Sequence, residues 1–174
     1  MNFDAELAAS VSLLAFAALS FVDGVVLHFF LERLPFRPGS RLEHGLHTAR
    51  AVLFAPVLLA FFDARASLAT GLALLAVDLA FEVWDMLIER QSRAFSGGLR
   101  TREYALHGVL VALHTAAVAF TLVARQAPAR TPTPLSLAAV TGWLLPGSTL
   151  VALAHVVLLA APTWAAHSRA TEAS

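Results

Sequence analysis

Four short segments of this 174-residue chain carry acids and imidazoles at repeating intervals. HFFLER (His28 to Arg33) and DMLIER (Asp85 to Arg90) each precede an arginine-containing connection, and LEHGLH (Leu42 to His47) and REYALH (Arg102 to His107) each follow one. Glu32 thereby corresponds to Glu89, Glu43 to Glu103 and His47 to His107, as a duplicated helical hairpin would place them. Within each segment two ionisable groups lie four residues apart, so both fall on one face of an α-helix. Glu32, Glu43, Glu89 and Glu103 make a layer beside the connections, and His28, His47, Asp85 and His107 make a second layer about 6 Å deeper.

Converging carboxylates cannot neutralise one another, and like charges at close range force either protonation or the binding of a cation. Carboxylate oxygens and imidazole nitrogens, without sulfur, suit non-haem iron, manganese or zinc. One glutamate from each of two helices, with a Glu and His pair from each of two others, is how helical bundles hold two iron ions. The expected centre is therefore dinuclear, with two divalent metal ions, iron favoured and zinc or manganese as alternatives. Its ligands are Glu32, Glu43, His47, Glu89, Glu103 and His107, with His28 and Asp85 as further ligands or as groups that orient them. The Glu and His pairs are spaced i,i+4, whereas soluble di-iron bundles use i,i+3. Haem b, held by His47 and His107, is the alternative cofactor, although glutamates are costly neighbours for a porphyrin.

Each residue taken singly has a plainer reading. Glutamates and arginines beside a loop serve as a solvated interface, and a lone His28 or His114 more often makes an interhelical hydrogen bond. Asp23, Arg50, Asp78, Glu82 and His114 lie deeper, and a second metal site, a proton path or a hydrogen-bonded network around Arg50 would each use them. His44 has no evident facing, and His155 and His167 no evident partner.

These residues need helices in lipid to position them. Mean hydropathy is +0.71, 58% of residues are hydrophobic and only 14% are charged, a balance outside that of a soluble domain. Five apolar segments, roughly 4–34, 41–62, 66–94, 101–125 and 135–161, are long enough to cross about 30 Å of hydrocarbon. Spanning segments with open ends must be helices, so the expected fold is an all-α polytopic membrane bundle. Residues 1–125 make four core helices from two duplicated hairpins around the metal site, and 126–174 add a loop, a fifth helix and a short tail. Breakers separate them: Pro35, Pro38 and Gly39, then Gly97 and Gly98, then Pro128, Pro132 and Pro134. The short turn at Asp63 and Arg65 makes the second and third helices antiparallel neighbours, and Pro146 with Gly147 predicts a kink in the fifth.

Zero net charge excludes a nucleic-acid partner, and the absence of cysteine excludes disulfides, thiolate metal sites and covalently attached haem. All twelve basic residues are arginine, a bias typical of GC-rich bacterial genomes. The first helix lacks a basic leader and cleavage site and is expected to be retained. Arg33, Arg37, Arg41, Arg90, Arg93, Arg100 and Arg102 lie in the connections after helices one and three, against Arg65, Arg125 and Arg130 at the other end. The expected location is the bacterial cytoplasmic (inner) membrane, with the N-terminus outside and the C-terminus cytoplasmic. The bilayer is the expected partner, with a hydrophobic small-molecule substrate and a membrane complex or homo-oligomer beyond it.

Three functions are compatible with this pattern. A metal-dependent oxidoreductase would act on a lipid-soluble substrate such as a quinone or an acyl chain. A non-catalytic accessory or assembly subunit would hold metal or b-type haem for a respiratory complex. Proton or ion translocation would use the acidic face of the third helix.

FVDGVVLHFFL (Phe21 to Leu31), LEHGLH and FEVWDMLIE (Phe81 to Glu89) together resemble an uncharacterised bacterial family of predicted four-helix membrane proteins. That family has an FDG-like stretch with a histidine in helix one, a DGLFH-like start to helix two and an aromatic-Asp step in helix three. The resemblance covers about the first 125 residues, and it departs where Glu32 and Glu89 replace a His-rich helix end. Family members are often encoded near cytochrome oxidase assembly factors, so the resemblance implies an association with metal or the respiratory chain.

Overall fold

A computed structural model describes residues 4–94, 97–126 and 134–172, and among them the chain is helical without strands. Helix α1 (Ala5–Phe21) starts where the Asp4 side chain accepts a hydrogen bond from the Leu7 amide at 3.1 Å. It runs on without a break into a π-helical segment, Val22–Leu31, which Arg33 ends in a left-handed conformation (φ 54°). Two 3-10 turns, Leu34–Phe36 and Pro38–Ser40, lead into α2 (Arg41–Val57). Pro56 removes one amide donor from the end of α2, and the helix widens there into a second π-helical segment, Leu58–Phe62. Helix α3 (Leu68–Ser92) is capped by Ser67, whose hydroxyl accepts from the Thr70 amide. Helices α4 (Thr101–Ala124) and α5 (Leu137–Glu172) complete the chain. Pro128, Arg130 and Pro132 lie outside the described residues, as does the side chain of His167.

Among the described residues, four helical stretches are long and apolar enough to cross a membrane: Ala5–Leu31, Arg41–Phe62, Thr101–Ala124 and Leu137–Ala161. The protein is thus a membrane-spanning helical bundle. Helix α3, at 25 residues, has the length but not the composition, because Asp78, Glu82, Asp85 and Glu89 dilute it. Its exposed face is nevertheless apolar, with Leu72, Val77, Val83, Trp84, Met86 and Leu87 outward.

The helices form an open ring. α4 packs on α1, α1 touches α5, α5 packs on α2 and α2 on α3, while α3 and α4 hardly meet. The antiparallel α2–α3 pair is therefore present as expected, and α5 is seated between α1 and α2. At one end of the ring the core is apolar, built from Leu13, Phe16, Val57, Leu58, Phe61, Leu75, Ala117 and Val140. The polar residues gather at the other end, where α1 runs out and α2 begins.

Gly71 lets α3 approach the preceding π-helical segment. A Cβ there would stand 3.1 Å from both the Cα and Cβ of Phe61 and 3.2 Å from the Ala60 carbonyl oxygen. Gly71→Leu is expected to lower stability by about 1–3 kcal/mol through overpacking, read as earlier thermal unfolding in detergent.

Candidate metal centre

His28 occupies the middle of the polar end, on the π-helical segment, with 1% of its surface exposed. Asp23 lies five residues earlier. On an α-helix two such positions point roughly 140° apart, but the i→i+5 bonding of a π-helix brings them onto one side. Asp23 Oδ1 accordingly lies 3.6 Å from His28 Nε2. The other oxygen, Oδ2, lies 3.3 Å from His107 Nε2 on α4, so this carboxylate stands between two imidazoles. On the far side, His107 Nδ1 faces Glu89 Oε1 of α3 at 3.2 Å.

Helix α2 brings the third imidazole. The rings of His28 and His47 have centroids 4.4 Å apart, and His47 Nε2 is 3.3 Å from Asp85 Oδ2 and 3.9 Å from Glu43 Oε1. Two groups of ligand atoms result, Asp23–His28–His107 and His28–Glu43–His47, each with all its atoms within 4.8 Å of one another. His28 belongs to both. Neither of its nitrogens has a hydrogen-bond partner, although both are buried. Buried polar atoms left unsatisfied are rare, since each costs about 1–3 kcal/mol.

The layer beside the connections is neutralised differently. Arg93, just past the end of α3, is 1% exposed and reaches Glu43, Glu103 and Glu32 at 2.9, 3.4 and 3.9 Å. Ser92 Oγ also donates to Glu43, and Ser40 Oγ donates to the Ser92 carbonyl at 3.1 Å. Arg100, half-exposed, lies 3.8 Å from Glu32. Glu32 and Glu103 therefore face a guanidinium, and among the described residues neither belongs to a candidate ligand group. Of the other residues expected at the centre, His28, Glu43, His47 and His107 supply candidate ligand atoms, Glu89 stands behind His107 on the nitrogen away from Asp23, and Asp85 faces the same His47 nitrogen as Glu43. A carboxylate on the distal nitrogen fixes the tautomer and direction of a ligating histidine, as Glu89 is placed to do for His107.

The charge balance leaves room for cations. Asp23, Glu32, Glu43, Asp85, Glu89 and Glu103 are all buried, and among the described residues the one guanidinium buried with them is that of Arg93. Deeper in the ring, Arg50 reaches both Asp78 and Glu82 at 3.2 Å, and His114 lies 4.0 Å from Glu82 while stacking on Phe16. This set holds its own cation. His44 and His155 form another buried pair, stacked with ring centroids 5.4 Å apart, with Phe29 against His155. Sequence spacing gave no hint of that pairing, because α5 comes between α1 and α2 from a distant part of the chain.

No protein-family model, curated protein or solved structure matches this chain, so its chemistry is argued from the arrangement of these side chains alone.

Proposed function

We propose that this protein is an integral-membrane metalloprotein of the bacterial cytoplasmic membrane, N-terminus outside, whose buried His and carboxylate centre binds two divalent metal ions, iron favoured. The observation that carries this reading is His28, an enclosed imidazole with both nitrogens free of hydrogen bonds and two sets of candidate ligand atoms around it. A cation there would take up those lone pairs and offset the excess of buried carboxylates. Asp23, His28, His107, Glu43 and His47 would bind the ions, with Glu89 orienting His107 and Asp85, beside His47 Nε2, as a further ligand. Three protein ligands in each group leave positions open for a substrate, the property that separates reactive sites from closed structural ones.

Iron in such surroundings supplies oxygen-dependent oxidation, and an apolar cavity beside the centre favours a lipid-soluble substrate. Haem held by His47 and His107 fits less well, because Asp85 and Asp23 carboxylate oxygens each face the Nε2 of one of these imidazoles at 3.3 Å, where a haem iron would have to bind. The acids lining the same cavity, Asp78, Glu82, Asp85 and Glu89, favour proton translocation as a second reading. Metal-independent proton flux into liposomes would establish that reading instead.

Elemental analysis of detergent-purified protein tests the proposal. Wild-type protein is expected to carry close to two equivalents of metal, and His107→Ala to lose at least half of it, with Asp63→Asn, remote from the centre, unchanged. A Soret band, or full occupancy in His107→Ala, would refute the ligand assignment.

A further inference from the structure

A groove of about 850 Å³ lies on the outside of the bundle, between the π-helical segment Val22–Leu31 and α5, whose backbones hardly meet. Phe21, Val25 and Phe29 form one wall, and Leu150, Ala154 and Leu158 form the other. The Phe29 ring packs on His155, which borders the inner cavity beside the metal centre, so these two rings stand between the groove and that centre. From Phe21 to Arg33 the chain rises about 18 Å at the α-helical spacing. One leaflet of a hydrocarbon core about 30 Å thick measures roughly 15 Å. The groove therefore has the length of an acyl chain, and apart from Arg33 every side chain lining it is apolar.

Arg33 closes one end. It is exposed, and among the described residues no carboxylate faces it, whereas Arg93 and Arg100 at the same end of the bundle both face Glu32. Its backbone is left-handed (φ 54°), a conformation that glycine or asparagine takes more readily than arginine. The turn that holds it is fixed, because Leu34 is fully buried and the Phe36 amide donates to the Arg33 carbonyl at 3.0 Å. A guanidinium held at the mouth of a groove one leaflet long stands at headgroup level, where its fork matches a phosphate.

We propose that this groove binds one anionic phospholipid of the surrounding bilayer, with an acyl chain between the π-helical segment and α5 and the phosphate on Arg33. The site needs only the membrane-spanning bundle and is independent of the metal centre.

Native mass spectrometry of the full-length protein, titrated in detergent with dioleoylphosphatidylglycerol or dioleoylphosphatidylcholine, tests the proposal. The two lipids share their chains and differ in net charge. Phosphatidylglycerol is expected to bind about fivefold more tightly, the effect of one basic side chain near an anionic headgroup. Arg33→Asn removes the charge with a residue that tolerates the left-handed backbone, and should bind both lipids equally. Arg33→Lys should keep the preference. Ala154→Trp places an indole in the groove from an exposed position and should weaken both lipids. Arg65→Gln, exposed at the opposite end of the bundle, changes net charge alone and should match the wild type. Circular dichroism on the same samples reads folding. Equal binding of the two lipids by the wild type, a preference that survives Arg33→Asn or disappears equally in Arg65→Gln, or undiminished binding by folded Ala154→Trp, overturns the inference.

Discussion

Arg93→Met is expected to cost about 3–5 kcal/mol, the penalty for removing one partner from a buried charge cluster. The guanidinium is 1% exposed and is the common partner of Glu32, Glu43 and Glu103, which come from the segment after α1, from α2 and from α4. Without it three carboxylates remain in a poorly solvated space, and helices that it ties together repel one another. Thermal unfolding in detergent reads the loss. Arg93→Lys should recover only part of it, because an ammonium cannot reproduce the fork that engages Glu43 through Nε and Nη2. Adding Glu43→Gln to Arg93→Met should restore part of the stability, since the amide removes one of the three stranded charges. An additive double variant would show that the two side chains do not act on each other. Unfolding of Arg93→Met at the wild-type temperature would mean that water reaches the cluster.

The second large effect changes sign with the metal. His28→Leu is expected to abolish binding of both ions, because His28 is shared by the two ligand groups, whereas Glu89→Gln, acting through His107, should weaken binding by about 10–100-fold. In the presence of chelator the order of stability should reverse. The leucine variant then unfolds at or above the wild-type temperature, because it replaces a buried imidazole whose two nitrogens find no hydrogen bond. With iron or zinc in excess the wild type gains stability by mass action and the variant does not. Lowering the pH should release metal from the wild type, since protons compete for imidazole and carboxylate lone pairs. A variant less stable than wild type under both conditions would make His28 a packing residue and nothing more.

Much of this organisation is legible in the sequence. The spans of α1, α2, α4 and α5 follow from apolar length, their ends from Pro35, Pro38 and Gly39, the glycines at 97 and 98 and Pro134, and the convergence of acids and histidines from i,i+4 spacing. Three features escape for identifiable reasons. Arg93 sits in a connection rich in arginine, where charge counting reads it as a marker of orientation; only its neighbours in space turn it into the counter-ion of three glutamates. Asp23 is out of phase with His28 on an α-helical wheel, and no residue in FVDGVVLHFFL announces the wider turn that aligns them. His155 meets His44 because α5 comes between α1 and α2, an order that loop lengths leave open. Helix α3 is legible as the apolar segment 66–94, although the four acids that face the interior leave it outside the helices apolar enough to cross a membrane.

The π-helical turn between Asp23 and His28 works as a phase adjuster. Upstream, Ala9, Leu13 and Phe16 set the face that α1 buries among the apolar residues; downstream, His28 and Glu32 must point at the polar end. A uniform helix would tie these two directions rigidly, so that any change of one rotates the other. With slack between them, the apolar seam and the ligand cluster can be tuned independently. Deleting one residue from 24–27 would turn the i,i+5 spacing of Asp23 and His28 into the i,i+4 spacing of an α-helix, so that the ligand pair and the upstream seam would both keep their facing.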